Sequence, residues 1–194
     1  MRWFGGVLLL CALSAGAEER IYVCFNYGCL TQAEVVFSDA HLRDLALLLG
    51  QAQDAAQERA AISVAVGRLH GWAGQQSPIS VDRGENYADD AVYGRMDCID
   101  HSTTTTRLLR IMESRGMLRY HRVLEPVLRQ RVLIFDHFAA QIEDVEQAVL
   151  AGEGGLGGLP GRYVVDSWFF DNGQPAAVMP LANWQAGESP NGSE

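Results

Sequence analysis

The sequence is poor in cysteine, with four among 194 residues, and poor in proline, with six. Four thiols are too few for a disulfide scaffold, and their positions do not form a zinc-type quartet. Cations are also scarce: Lys and Arg number 15 against 24 for Asp and Glu, a net charge of −9. Nucleic-acid binding draws on clustered Lys and Arg, so that class of partner is excluded. The body has no stretch of 18 apolar residues, and so no internal membrane span is expected. What is present is a chain with 48% hydrophobic residues. That supports a real core and a length suited to one domain.

Residues 1–17 read as a secretory signal peptide. Arg2 gives a short positive start, Val7 to Leu13 is an apolar run too short to span a bilayer, and Ala15-Gly16-Ala17 has the small-x-small pattern of a cleavage site. Leu10 before Cys11 is too large for a lipoprotein cleavage site. The expected product is periplasmic or secreted, with a single domain over 18–184 and a flexible polar tail over 185–194. Removal of Cys11 leaves Cys24, Cys29 and Cys98. An oxidising compartment favours pairing of nearby thiols. Cys24 and Cys29 bracket the turn-like Phe-Asn-Tyr-Gly and read as a structural disulfide. Cys98 is then the odd thiol, which in an exported protein is either an intermolecular link or a reactive group.

Apolar periodicity and punctuation place the elements. Arg20 to Phe25 and Gln32 to Phe37 read as strands. Helices are expected from Ser38-Asp39 to Leu49 and from Asp54 past Trp72, followed by a long surface loop over Gly74 to Asp90. Ile99 to Arg115 reads as a helix despite the β-branched run Thr103 to Thr106, which is poor for helix formation. Strands follow over Leu118 to Val127, Val132 to Ile142 (with a helical far end as the alternative) and Arg162 to Phe170. Asp171-Asn172-Gly173 reads as a hairpin turn with Ala176 to Leu181 as the returning strand. Ala151 to Gly161 is a glycine-rich connection. Helices first and an antiparallel sheet afterwards give an α+β class.

A thiol is a nucleophile only as thiolate, and a helix start favours that form. Cys98 stands at such a start. An imidazole must take its proton and a third group must orient the imidazole. His101, His121 and His137 are the candidates. His101 lies one turn along the same helix; His121 follows Tyr120 at the head of a strand; His137 leads a strand. Asp166 ends the apolar Tyr163-Val164-Val165, while Asp171 can replace it as orienter. Trp168, Phe169 and Phe170 read as sheet packing.

Asp97-Cys98-Ile99-Asp100, followed by a helix, resembles the Asp-Cys-x-Asp signature of the bacterial transglutaminase-like cysteine proteases, part of the transglutaminase and papain-like superfamily. His137-Phe138-Ala139-Ala140 is similar to the His-leading strand of that family, and Tyr163-Val164-Val165-Asp166 to its strand ending in the orienting Asp. The match covers about Arg95 to Asp171. The resemblance implies a fold of helices packed on an antiparallel sheet. It also implies a cysteine hydrolase acting on an amide bond, with Cys98 as nucleophile, His137 as base and acid, and Asp166 as orienter. A second oxyanion donor would come from upstream, with Gln75, Gln76 and Asn86 as candidates. Some members bind calcium through acids flanking the cysteine. Here Ile99 stands where a further acid would be expected, so no cofactor or metal is assigned. The substrate class implied is a protein or peptide, including cell-wall peptide. The alternatives are a cell-wall amidase or peptidase, an acyl-transfer enzyme, and a non-catalytic periplasmic interaction module of the same fold with Cys98 merely buried.

Overall fold

The computed structural model describes residues 18–85, 87, 89–131, 135–151, 161–190 and 192–193, with backbone alone at 131, 135, 151, 192 and 193. The expected signal peptide and the oxyanion candidate Asn86 lie outside the described residues.

The chain opens on an antiparallel hairpin, β1 (Glu19–Phe25) and β2 (Thr31–Phe37), in a register that sets Cys24 opposite Gln32. Its inward residues Val23, Phe25, Val35 and Phe37 are buried, as the period-2 alternation of a half-covered strand requires. Cys24 and Cys29 form a disulfide across the turn. Two helices follow, α1 (Asp39–Gly50) and α2 (Ala55–Gly74). Each starts on a side-chain cap: Ser38 Oγ accepts from His41 N at 3.3 Å and Asp54 Oδ1 from Gln57 N at 2.7 Å. Such caps satisfy N–H groups that have no intrahelical acceptor.

The expected surface loop after Gly74 is not uniform. It opens with a single 3-10 turn, Pro78–Val81. Farther on it is docked onto the turn at 168–171. Glu85 N donates to Trp168 O at 3.0 Å and Gly84 N to Asp171 Oδ1 at 3.1 Å. A Cβ at position 84 would stand 2.4 Å from Phe169 O, so only glycine permits this approach.

α3 (Cys98–Ser114) begins on a capping box in which Asp97 accepts from Asp100 N and Asp100 accepts from Asp97 N, a reciprocal arrangement that closes two open donors. The remaining strands form one antiparallel sheet in the order β3 (His121–Arg131), β4 (Phe135–Asp144), β5 (Arg162–Asp166), β6 (Ala177–Pro180). The β3–β4 register shifts between Leu124 and Val127. Pro126 sits inside this irregularity, where a residue without an N–H costs the ladder nothing. α4 (Val145–Ala151) follows β4, and α5 (Leu181–Gln185) follows β6.

Ala140, Ile142 and Val165 face α2, α3 and the hairpin in the main core, whereas Ala139, Val164, Leu181 and Trp184 form a second cluster on the opposite face. The architecture is therefore α+β, as expected. No described helix is long and apolar enough to cross a membrane.

Several boundaries differ from the sequence reading: β3 runs over His121–Arg131 rather than Leu118 to Val127, and β4 stays a strand to Asp144, past the expected end at Ile142 and without a helical far end. β5 stops at Asp166, not at Phe170, because Asp166 Oδ1 accepts from Trp168 N at 3.2 Å and turns the chain. Asp171-Asn172-Gly173 is not a two-residue hairpin. It belongs to a longer crossing docked on α2, with Asn172 Nδ2 donating to His70 O at 3.2 Å and a Cβ on Gly71 only 3.4 Å from Gly173 Cα. At the C-terminus, α5 runs through Gln185, and a two-residue strand β7 (Glu188–Ser189) pairs with β8 (Gly192–Ser193) within the segment expected as tail.

Candidate active site

Cys98, His137 and Asp166 arrive from three different elements. Cys98 is the first residue of α3 and, among the described residues, the one free cysteine, half-buried. His137 lies near the start of β4 and Asp166 at the end of β5. Alternation along the strands turns His137 and Asp166 to the same sheet face as Ala139 and Val164, the face covered by α5.

His137 Nε2 lies 2.7 Å from Asp166 Oδ2. Cys98 is near enough to the His137 ring to help raise its pKa. Cys98 Sγ also lies 3.8 Å from the carbonyl oxygen of Asp136. Burial alone would lower the His137 pKa; the Asp166 carboxylate and the Cys98 sulfur outweigh it and raise it to about 9. The adjoining Asp166 carboxylate thus favours the imidazolium form of His137.

The ring is enclosed by aromatics. Trp168 and Phe169 meet it edge-on at 4.9 and 5.8 Å between centroids, and Trp184 lies at 5.6 Å. Trp168 and Phe169, read from the sequence as sheet packing, lie in the turn beyond β5 and cluster with Cys98 and Met179. Trp184 was not singled out by sequence reasoning. Its indole N–H donates to Asp166 Oδ2 at 3.0 Å. No motif marks it, since its role depends on the chain folding back over the sheet. Arg129, opposite His137 in the ladder, donates to Trp184 O at 2.7 Å and lies 4.8 Å from its ring.

The other two histidines are engaged elsewhere. His121 Nδ1 is 2.8 Å from Glu58 Oε2, both side chains fully buried, and its Nε2 faces Arg59 at 3.3 Å. Burial would raise the Glu58 pKa. Hydrogen bonds from His121 and from the N–H groups of Arg119 and Tyr120 reverse this and hold it below the ordinary value. His101 Nε2 lies 2.9 Å from Asp82 Oδ2, and its Nδ1 is 2.9 Å from Ser167 Oγ. Asp171, the alternative orienter, caps Gly84 N and lies 3.5 Å from Arg83.

Gln76 is not available as an oxyanion donor. Its Oε1 accepts from Val36 N at 2.9 Å, and its Nε2 donates to Val36 O at 3.0 Å and Trp72 O at 3.1 Å. The amide is spent in tying β2 to α2. At the start of α3, however, the Cys98 N–H belongs to the set that a helix leaves without an intrahelical acceptor.

The acids flanking Cys98 do not suit a calcium ion. Asp97 Oδ1 accepts from Asp100 N and Oδ2 from Gly28 N, both at 2.8 Å. Asp100 Oδ1 accepts from Cys29 N at 2.7 Å, and Oδ2 from Tyr27 N at 2.8 Å. Every oxygen of the pair already faces an N–H dipole, and a cation there would meet their positive ends. Asn26, Tyr27, Gly28 and Cys29 all have φ between 56° and 66°, and the N–H groups of Tyr27, Gly28 and Cys29 meet these carboxylates.

Searches of protein-family models, of curated proteins and of solved structures find no match to this chain.

Proposed function

We propose that this protein is an exported, periplasmic or secreted, cysteine hydrolase of transglutaminase-like fold that cleaves an amide bond in a protein or peptide. The observation that carries the reading is the 2.7 Å contact of His137 Nε2 with Asp166 Oδ2, with the Cys98 thiol and the His137 ring packed against the same Trp168 and Phe169 side chains. A Cys-His-Asp arrangement of this kind has a nucleophile, a proton carrier and an orienting group, each within reach of the next.

In this reading the thiol proton rests on His137. The Cys98 sulfur attacks the carbonyl carbon, and the developing oxyanion takes the Cys98 N–H at the helix start. The C–N bond breaks as His137 gives its proton to the departing amine, leaving a thioester. Water then adds to that carbonyl and passes a proton to His137. The C–S bond breaks, the acid is released and the thiolate–imidazolium pair is restored. Asp166 keeps Nε2 protonated and Nδ1 aimed at sulfur throughout.

The test is alkylation of the native protein by iodoacetamide, followed by assay on an unfolded protein substrate and on peptidoglycan. Cys98 is expected to react rapidly near neutral pH and His137→Ala to slow it. Cleavage of one substrate and not the other assigns protein or wall peptide. A Cys98 that reacts only after denaturation, together with no cleavage of either, overturns the enzyme reading in favour of a binding module.

A further inference from the structure

Behind the Cys98–His137–Asp166 line runs a second set of buried polar side chains that the hydrolysis itself does not use. Asp82, His101, Thr105, Ser167 and His70 are all less than 10% exposed. Asp82 Oδ1 accepts from Met96 N at 2.9 Å, and its Oδ2 lies 2.9 Å from His101 Nε2, at ion-pair distance but off the line of an aligned hydrogen bond. His101 Nδ1 and Thr105 Oγ1 each lie 2.9 Å from Ser167 Oγ. His70 Nε2 is 3.1 Å from Thr105 Oγ1.

These contacts join the segments that carry the site. Met96 is two residues before Cys98, and His101 is one turn after it on α3. Ser167 directly follows Asp166, so its anchor fixes the end of β5. Thr105 and His70 add α3 and α2. Burial, and then the nearby His101, lower the His70 pKa to about 3, so this imidazole stays neutral. The chain then closes in either sense. A protonated His101 Nδ1 donates to Ser167, Ser167 to Thr105, and Thr105 to His70. An unprotonated Nδ1 accepts from Ser167, which accepts from Thr105, which accepts from His70.

Resting on the thiol reading above, we propose that Ser167, held by His101 and Thr105, is a positioning residue: it holds the end of β5 against the start of α3 and so sets the Asp166–His137–Cys98 alignment. The hydroxyl is in the wrong place for chemistry of its own, because Ser167 is buried and its oxygen is shared between two partners on α3. Its effect reaches the reaction through the adjacent Asp166. A misplacement on the ångström scale is enough to reduce rates up to a hundredfold.

The experiment compares Ser167→Ala, Ser167→Thr and Asp82→Asn with the unaltered chain and with His137→Ala, following iodoacetamide alkylation of Cys98 from pH 5 to 9 alongside thermal melting. Ser167→Ala is expected to stay folded, to lower the alkylation rate at pH 7 by about tenfold, and to move the profile toward that of a free thiol. Ser167→Thr restores the hydroxyl and is expected to restore the profile, and Asp82→Asn to weaken it as Ser167→Ala does. If Ser167→Ala and Asp82→Asn melt earlier yet keep the original alkylation profile, the network is only structural and the proposal fails. The same holds if Ser167→Thr is as slow as Ser167→Ala. If His137→Ala leaves alkylation unchanged, the thiol reading itself fails, whatever the Ser167 variants do.

Discussion

Trp184 and His137 share one oxygen of Asp166: the indole N–H lies 3.0 Å from Oδ2 and the imidazole Nε2 2.7 Å from it. With Trp168 N on Oδ1 as a third donor, the carboxylate cannot rotate without losing a bond. Trp184 is fully buried between α5 and the sheet, so its indole is itself fixed by packing.

Trp184→Phe keeps most of the apolar surface and removes the N–H. A hydrogen bond to a charged group is worth about 1.5–3 kcal/mol. The variant is expected to lose stability of that order in denaturant melts. Cys98 alkylation and amide cleavage should fall by about tenfold as the Asp166 oxygen that faces His137 loses its second donor.

The raised His137 pKa sets a pH limit. The folded value of about 9 stands above the ordinary 6.5, so the stabilising contribution is fully present below pH 6.5 and is lost as pH rises through 9. Amide cleavage needs the imidazolium proton for the departing amine and is expected to decline above pH 9. Alkylation needs only the thiolate and should hold there. A histidine NMR titration, run beside the two rate profiles, checks the assignment.

Asp100 moves the opposite way from a salt-bridged acid. Burial first, and then Asp97, raise its pKa to about 6 from 3.8, against the pull of the backbone N–H groups of Asp97, Cys29 and Tyr27. An acid with a raised folded pKa binds its proton more tightly when folded, so its contribution to stability declines as pH rises from 4 to 6. Asp100→Asn removes the repulsion but turns an NH2 toward an N–H donor. It is expected to lose about 1–3 kcal/mol at pH 7, measured by urea melts.

The disulfide closes a short loop whose N–H groups hold Asp97 and Asp100 at the start of α3. For a loop of this length the cross-link is worth about 2 kcal/mol. The Cys24→Ala, Cys29→Ala double variant is expected to lose that much stability in urea melts. Its Cys98 should alkylate more slowly, as the helix start loses its clamp.

His121→Ala provides the contrast. It leaves Glu58 buried without its imidazole, a loss of about 3–5 kcal/mol. In the fraction that remains folded, Cys98 alkylation is expected to be unchanged, because His121 and Glu58 make their contacts between α2 and the head of β3. Melting and labelling of the same sample separate the two effects.

The sequence by itself determined the local units. Alternation in Tyr22 to Phe25 and Val35 to Phe37, the caps at Ser38, Asp54 and Asp97, and the cysteine pair around a turn are short-range signals, and each corresponds to an element or bond of the structure. Cys98 was legible as the odd thiol at a helix start. His137 and Asp166 were legible only as members of a set, through a likeness in order and spacing. The Thr103 to Thr106 run had no chemical reading at all. Thr104 Oγ1 accepts from Cys24 N and Thr105 joins Ser167 to His70, contacts 80, 62 and 35 residues apart.

Only the tertiary structure decided which imidazole meets Asp166, where Gln76 spends its amide, and that Trp184 reaches the same carboxylate. Caps and alternation are set by bonds within a few residues. A side chain's partner across the core depends on how far each strand runs before it turns. β5 turned at Asp166, where its own carboxylate met the Trp168 N–H, and that one bond brought the aromatic turn to His137.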